Sequence, residues 1–304
     1  MTALLVRRIL RLLIVAIGVS VVTFSILQAS GDPVSLIMPE APEADRAALR
    51  AALGLNDPLP LQFVRFVGNA AVGNFGHSFF HRTPALPLVL ERMPPTLTLT
   101  VLSLGLALLV SIPVGILSAV RRGSLLDHAT TVVVFLGQSM PVFWTGIMLI
   151  LLFAVQWRFL PVSGWNDWWS AVLPALTLGS FSAPLLLRIV RSSMLDVIHL
   201  DYVRTARAKG LSEWFVICRH ALTNAALPLV TVAGLQFGLL LGGAVITETV
   251  FAVPGVGRLI VGAIRQLDFP VVQASVFVLA MIIVTVNFAV DLLYIYLNPQ
   301  VRVR

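Results

Sequence analysis

Six blocks of this sequence, 9–29, 97–120, 129–153, 171–190, 227–250 and 271–297, stay apolar for about 20 residues or longer. An apolar helix of about 20 residues crosses the hydrocarbon core of a bilayer. The blocks therefore predict an all-α membrane protein with six transmembrane helices. Composition agrees, since 58% of the 304 residues are hydrophobic, 12% are charged, and the mean hydropathy is +0.94. A soluble domain carries about a quarter charged residues, so this chain lacks the material for a water-facing surface. Pro174 and Pro184 interrupt the fourth block. Such breaks are tolerated where neighbouring helices or water satisfy the freed backbone groups.

The first block has a basic flank, Arg7 and Arg8, as a signal peptide would. Arg11 lies inside it, however, and no small-x-small cleavage site follows, so a retained anchor is expected. One cysteine, Cys218, leaves no intramolecular disulfide framework and no cysteine-only metal site. Basic residues in short loops mark the cytoplasmic side. The N-terminus, the 121–128 turn, the 191–226 loop with its flank and the C-terminal tail carry thirteen Lys and Arg. The short loops of the opposite side carry three, Arg158, Arg258 and Arg265. Both termini and the 191–226 loop are thus expected in the cytoplasm. The formal charge of +7 is a matter of topology and needs no nucleic acid.

The 31–96 segment opens on the turn Gly31-Asp32-Pro33. Pro42-Glu43-Ala44-Asp45 then starts a short helix, with acids in its first turn and Gly54 as the residue past its end. An aromatic stretch from Phe63 to Phe80 makes this segment too apolar for disorder. The second block spaces small residues four apart, at Ser103, Ala107, Ser111, Gly115 and Ala119. The fifth does the same with Gly234, Gly238 and Gly242. In lipid such faces allow close helix contact or line a pathway. Four of the six tryptophans fall in 156–170, as in an interfacial aromatic belt.

No phosphate-cradling GxxxxGK[ST] is present, nor HExxH, CxxC or GxSxG. His77 and His81 are four apart, but Gly76 opposes a helix there and no carboxylate or cysteine joins them, so no metal site is expected. Intramembrane polar residues are costly and face a pathway or a partner helix. Gln236, Glu248, Asn287 and Asp291 are the candidates, for translocation or for helix packing.

The 191–226 loop contains DYVRTARAKGLSEWFVICRH at 201–220, too polar to insert and too rich in Ala and Leu to be disordered. It reads as two short helices bent at Gly210, the second capped by Ser212 with Glu213 at its positive end. Both ends are tethered in membrane within about 35 residues, which leaves no room for groove entry by a DNA reader. A protruding elbow of this kind fits a groove on a soluble partner.

The run DYVRTARAKGLSE, the later Leu227-Pro228 and ITETVFAVPGVGRL at 246–259 resemble the inner-membrane permeases of dipeptide, oligopeptide and nickel ABC importers. LGLNDPLP, RRGSLLD, VLPALTLG and DLLYIYLNPQVR extend the resemblance over nearly the whole chain. It implies the type I importer permease architecture, in which the cytoplasmic loop docks into a cleft on an ATP-binding subunit. The family pattern there is Glu-Ala-Ala, three residues, then Gly. Here Ala206 and Gly210 match, while Arg204 and Thr205 stand in the first two places. Docking is expected of Ala206 and Gly210, and of Arg204, Lys209, Ser212 and Glu213 as neighbours.

The implied partners are a second homologous permease subunit, two ATP-binding subunits and an extracytoplasmic solute-binding protein. ATP and Mg would sit on the ATPases, leaving this chain without cofactor or catalysis. The implied organisation is an anchor helix at 1–30, an extracytoplasmic segment at 31–96 and a five-helix core at 97–304. Peptides are the cargo the resemblance favours, with nickel, glutathione or another small solute as alternatives. A stand-alone secondary transporter or channel is the rival class, and it would need buried mid-span carboxylates.

Overall fold

The computed structural model describes residues 2–29, 34, 38, 40–52 and 54–297. The Gly31-Asp32-Pro33 turn and the tail from Asn298 onward lie outside the described residues. The described chain is helical, with one lone bridge between His77 and Pro84. It forms two compact units. One takes the chain up to Pro94 together with Pro254–Val284, and the other takes Pro95–Val253 together with Thr285 onward.

In the first unit, α1 (Thr2–Ala29) meets α3 (Leu59–Ala71) through Phe24, whose ring lies 5.5 Å from Phe63 and 6.1 Å from Phe66. Between them, α2 (Glu43–Ala52) carries Glu43 and Asp45 in its first turn and Arg50 in its last, matching the helix dipole at both ends. Gly54 follows at φ +68°, the left-handed conformation that ends helices most cheaply in glycine.

A turn over 76–84 leads into α4 (Ala85–Val120), which at 36 residues is about 54 Å long and exceeds the bilayer core. The helix starts about three turns before the apolar block at 97 and runs through Pro94-Pro95. Proline here removes bonds to carbonyls at Leu90 and Glu91, which are exposed. Returning to the first unit after α4, the chain adds α11 (Val256–Arg265) and the first half of α12 (Phe269–Leu297).

The block at 129–153 is not one straight span. It is α5 (Leu125–Ser139) and α6 (Val142–Leu149, continued as a π-turn through Gln156), bent by 104°. The break falls at Met140, which is extended at ψ 124° because the residue before a proline avoids helical geometry. The fourth block, by contrast, continues unbroken through Pro184. A 3₁₀ turn at Trp168–Ala171 leads into α7 (Val172–Val197). Its apolar window is 67% buried, against 6% for α12, so α7 is the helix around which the second unit packs. Ser111 on α4 donates to the Ala183 carbonyl at 2.8 Å. A Cβ on Gly179 would sit 2.8 Å from the Ser103 carbonyl, and one on Gly115 2.8 Å from Val190. The small residues spaced along α4 are all buried, and they place α4 and α7 in near-backbone contact.

After α8 (Asp201–Ala208), the chain turns into α9 (Glu213–Phe215), a π-turn at Val216–Ala221 and α10 (Leu222–Val250). The last three form one continuous helix of 38 residues, Glu213–Val250. The helix carries on through Pro228. Among the described residues, four helices are long and apolar enough to span a membrane, or five if the bent pair forms one span.

Candidate functional site

The elbow between α7 and α10 is built by one buried stripe and one clamp. On α8, Val203 and Ala206 lie three apart and are both buried, packed with Val216, Ile217 and Ala221 beyond the bend and with Ile116 and Ala119 of α4. Ala206 thus faces this chain's own core, where a larger side chain would have to displace its buried neighbours. At the bend, Lys209 and Gly210 donate to the Thr205 and Arg207 carbonyls at 3.1 and 2.9 Å, and Gly210 sits at φ +76°. A Cβ there would meet nothing within 4 Å. The glycine is needed for its backbone conformation and not for space.

Arg207 closes the bend. Its Nη2 reaches Glu213 Oε1 at 2.8 Å, its Nε reaches Oε2 at 3.1 Å, and its Nη1 donates to the Ile198 carbonyl at 3.2 Å. The adjoining Glu213 carboxylate raises the Arg207 pKa above its ordinary value. Ser212 occupies the N-cap position, yet its side chain makes no capping bond, which corrects the capping expected of it. Glu213, expected to serve the helix dipole, serves the clamp as well.

What the elbow turns outward is aromatic and basic. Trp214 is 76% exposed, Phe215 47% and Leu211 39%, with Tyr202, Arg204 and Lys209 exposed beside them. Arg204 makes only a loose pair with Asp201 at 3.7 Å. Nothing in this surface combines a nucleophile with a base. Exposed aromatic side chains with cations close by in the same segment are suited to burial against another protein.

The intramembrane candidates separate from the elbow and from each other. Gln236, buried on α10, donates to Ser182 Oγ of α7 at 2.9 Å. Glu248, fully buried near the end of α10, accepts from Thr96 Oγ1 of α4 at 2.6 Å. Both hold helices together. Asn287 and Asp291 are half-buried on α12. Of the glycines, Gly234 would bring a Cβ within 2.6 Å of Val290, Gly238 is half-buried, and Gly242 is exposed with nothing within 4 Å. His77 lies in the turn before α4, in the bridge to Pro84. No group of three metal-ligating side chains occurs among the described residues.

A cluster that the sequence did not single out ties α4, α5 and α7 together. Arg191 of α7 donates to Asp127 through Nε at 2.7 Å and Nη2 at 2.9 Å, and Ser118 Oγ donates to the same carboxylate at 2.5 Å. The Gly123 N–H completes it at 3.0 Å.

Residues 111–303 match the family described as binding-protein-dependent transport system inner membrane component, and residues 1–100 match that family's N-terminal region. The chain belongs to this family. It is a transport permease subunit of the ABC-importer type, a multi-pass protein of the bacterial inner membrane. It is 41% identical to a probable peptide ABC transporter permease protein of Sinorhizobium fredii, over 98% of both chains. It is 40% identical to the dipeptide transport system permease protein DppB of Escherichia coli, over 94% of both chains. The glutathione transport system permease protein GsiC of Escherichia coli is also 40% identical, over 98% of each. Among solved structures, the MetNI methionine ABC transporter shares the fold at a TM-score of 0.55 and 20% identity, covering 69% of this chain and 96% of that one.

No sequence motif marks the outward aromatics Trp214 and Phe215 of this permease, although Ser212-Glu213-Trp214-Phe215 puts two large rings directly after a helix start. In sequence Arg207 is one of several loop arginines, and only the fold brings it to Glu213 and the Ile198 carbonyl.

Proposed function

We propose that this chain is one transmembrane half of an ATP-driven importer of peptides or similar small solutes, coupled to a separate ATPase through the 201–222 elbow. The observation that carries the coupling is the outward patch of Leu211, Trp214 and Phe215 on a clamped bend. Such a patch in a chain with no phosphate loop of its own needs a partner that has one. ATP and Mg belong to that partner. Two ATPases, a second permease subunit and an external solute-binding protein complete the complex, as the family implies. Six spans follow if α1, α4, the bent α5–α6 pair, α7, α10 and α12 each cross once, with both termini in the cytoplasm. Residues 31–84 then face outward and 191–226 face the cytoplasm.

Docking is assigned to Arg204, Lys209, Leu211, Trp214 and Phe215. Ala206, Gly210, Ser212 and Glu213 shape the elbow. The peptide cargo rests on the three 40–41% identical permeases, whose names specify peptide, dipeptide and glutathione transport. Co-purification with the co-expressed ATPase tests the coupling. Gly210→Val forces a β-branched residue to positive φ, at about 1–2 kcal/mol or more, and should insert normally but lose most of the bound ATPase. Retention of the ATPase at wild-type level would remove the elbow from the interface.

A further inference from the structure

A cavity of about 370 Å³ lies within the first unit, between the 76–84 turn, the start of α4 and α11. Its wall on one side is a single face of α11, Gly255, Arg258, Leu259 and Gly262, beginning at the helix N-terminus. Arg92 of α4 and His81 of the turn line it from the other sides. Arg92, Arg258, His81 and the positive end of a helix thus border one void.

The acid in this lining is Asp268, and it is committed elsewhere. It is buried, and its carboxylate accepts from Ser78 Oγ and from the Phe79 and Phe80 amides, the Phe79 bond being 3.1 Å. Ser78 Oγ in turn accepts from the His81 amide at 2.8 Å. This network fixes the turn and so places the Phe80 ring and His81 at the cavity. The Arg92 Nε is buried and has no hydrogen-bond partner. A buried donor on a cation left unpaired costs free energy that an anion would return. The rest of the lining, Leu259, Val271 and Ala263 among others, is apolar.

We infer that this cavity binds the carboxylate of a small solute that also carries an apolar body. Arg92 takes the carboxylate in the forked geometry that guanidinium and carboxylate share, the α11 N-terminus adds its dipole, and Leu259 and Val271 receive the apolar part. The volume falls in the range of small-molecule sites. This deepens the importer reading and rests on it for the topology that puts 254–268 outside the cytoplasm, and for the solute being peptide-like.

The test is direct binding of Ala-Ala, and of its C-terminal amide, to the full chain in lipid nanodiscs, read by saturation-transfer NMR titration. The wild-type chain should bind the free acid at least about tenfold more tightly than the amide, and Arg92→Gln should lose that preference. Arg92→Lys should restore part of it. Leu259→Trp, which fills the void without touching charge, should weaken acid and amide alike. Equal binding of acid and amide, wild-type preference in Arg92→Gln, or no binding by the wild type would each overturn the site. Uptake by the assembled complex reports separately on the importer reading. A complex that transports peptides with an indifferent Arg92 sinks only the site.

Discussion

Gly179 and Gly242 look alike in sequence, each small and each within an apolar block. The structure assigns them opposite tolerances. A Cβ on Gly179 would press on the Ser103 backbone carbonyl at 2.8 Å, while one on Gly242 meets nothing within 4 Å. Backbone cannot step aside as a side-chain tip can, so Gly179→Ala should lower stability by about 1–3 kcal/mol, and Gly242→Ala should leave it unchanged or slightly raised. Thermal unfolding of the detergent-solubilised chain compares them. Asp127 gives a second contrast. Its carboxylate is 7% exposed and held by Arg191, Ser118 and the Gly123 amide. Asp127→Asn should cost about 2–3 kcal/mol by removing the charge-assisted bonds, and Ser118→Ala should cost less. Little of this was legible in sequence. Arg191 was counted as a topological charge at the cytoplasmic boundary, and its partner sits 64 residues away on another helix. Pairing across that separation is a property of packing and leaves no local pattern. The same holds for Gln236, whose partner Ser182 is 54 positions distant.

At the scale of elements, apolar blocks were legible and prolines were not. Met140-Pro141 bends the chain by 104°, whereas Pro184 and Pro228 sit inside continuous helices. In lipid no water competes for the backbone, so a helix often persists through proline where neighbours satisfy the freed groups. Which outcome occurs depends on those neighbours. Pro184 packs on Gly137, whose Cβ would approach its ring at 2.9 Å. The continuity through Pro228 has a mechanical consequence, because the elbow's second arm and the α10 span are one rod of about 57 Å. On the proposed coupling, a pull at Glu213 would be carried along the helix rather than lost in a hinge. Replacing Ala225 and Ala226 together by glycine softens the rod at about 1 kcal/mol per site. The double variant should still bind ATPase, yet import less solute per ATP hydrolysed. Unchanged coupling in that ratio would mean that force does not travel along α10.

For the whole molecule, the division of labour follows from what the chain has and lacks. It has long helices locked by near-backbone contacts, a rigid elbow and an outward aromatic patch. Its sequence carries no phosphate loop. The family assignment of residues 1–100 and 111–303 fits that division. The elbow's existence and its glycine bend were readable from DYVRTARAKGLSE, because helical patterning stops at Gly210. Its outward face was not, since which residues of an amphipathic segment point away is decided by what the body buries. Val203 and Ala206 turned inward and left Trp214 and Phe215 outside.

The central claim is that this outward face transmits ATP hydrolysis into import. The decisive measurement is ATP-driven solute uptake by the assembled complex in proteoliposomes, comparing wild type with Trp214→Ala/Phe215→Ala. Both side chains are exposed, so the chain should fold and insert as before. The account predicts that the double variant loses most of its ATPase and its uptake together, by about tenfold or more if the rings are hot spots of about 2 kcal/mol each. Wild-type uptake by the double variant, or uptake driven by an ion gradient without ATP, would contradict it.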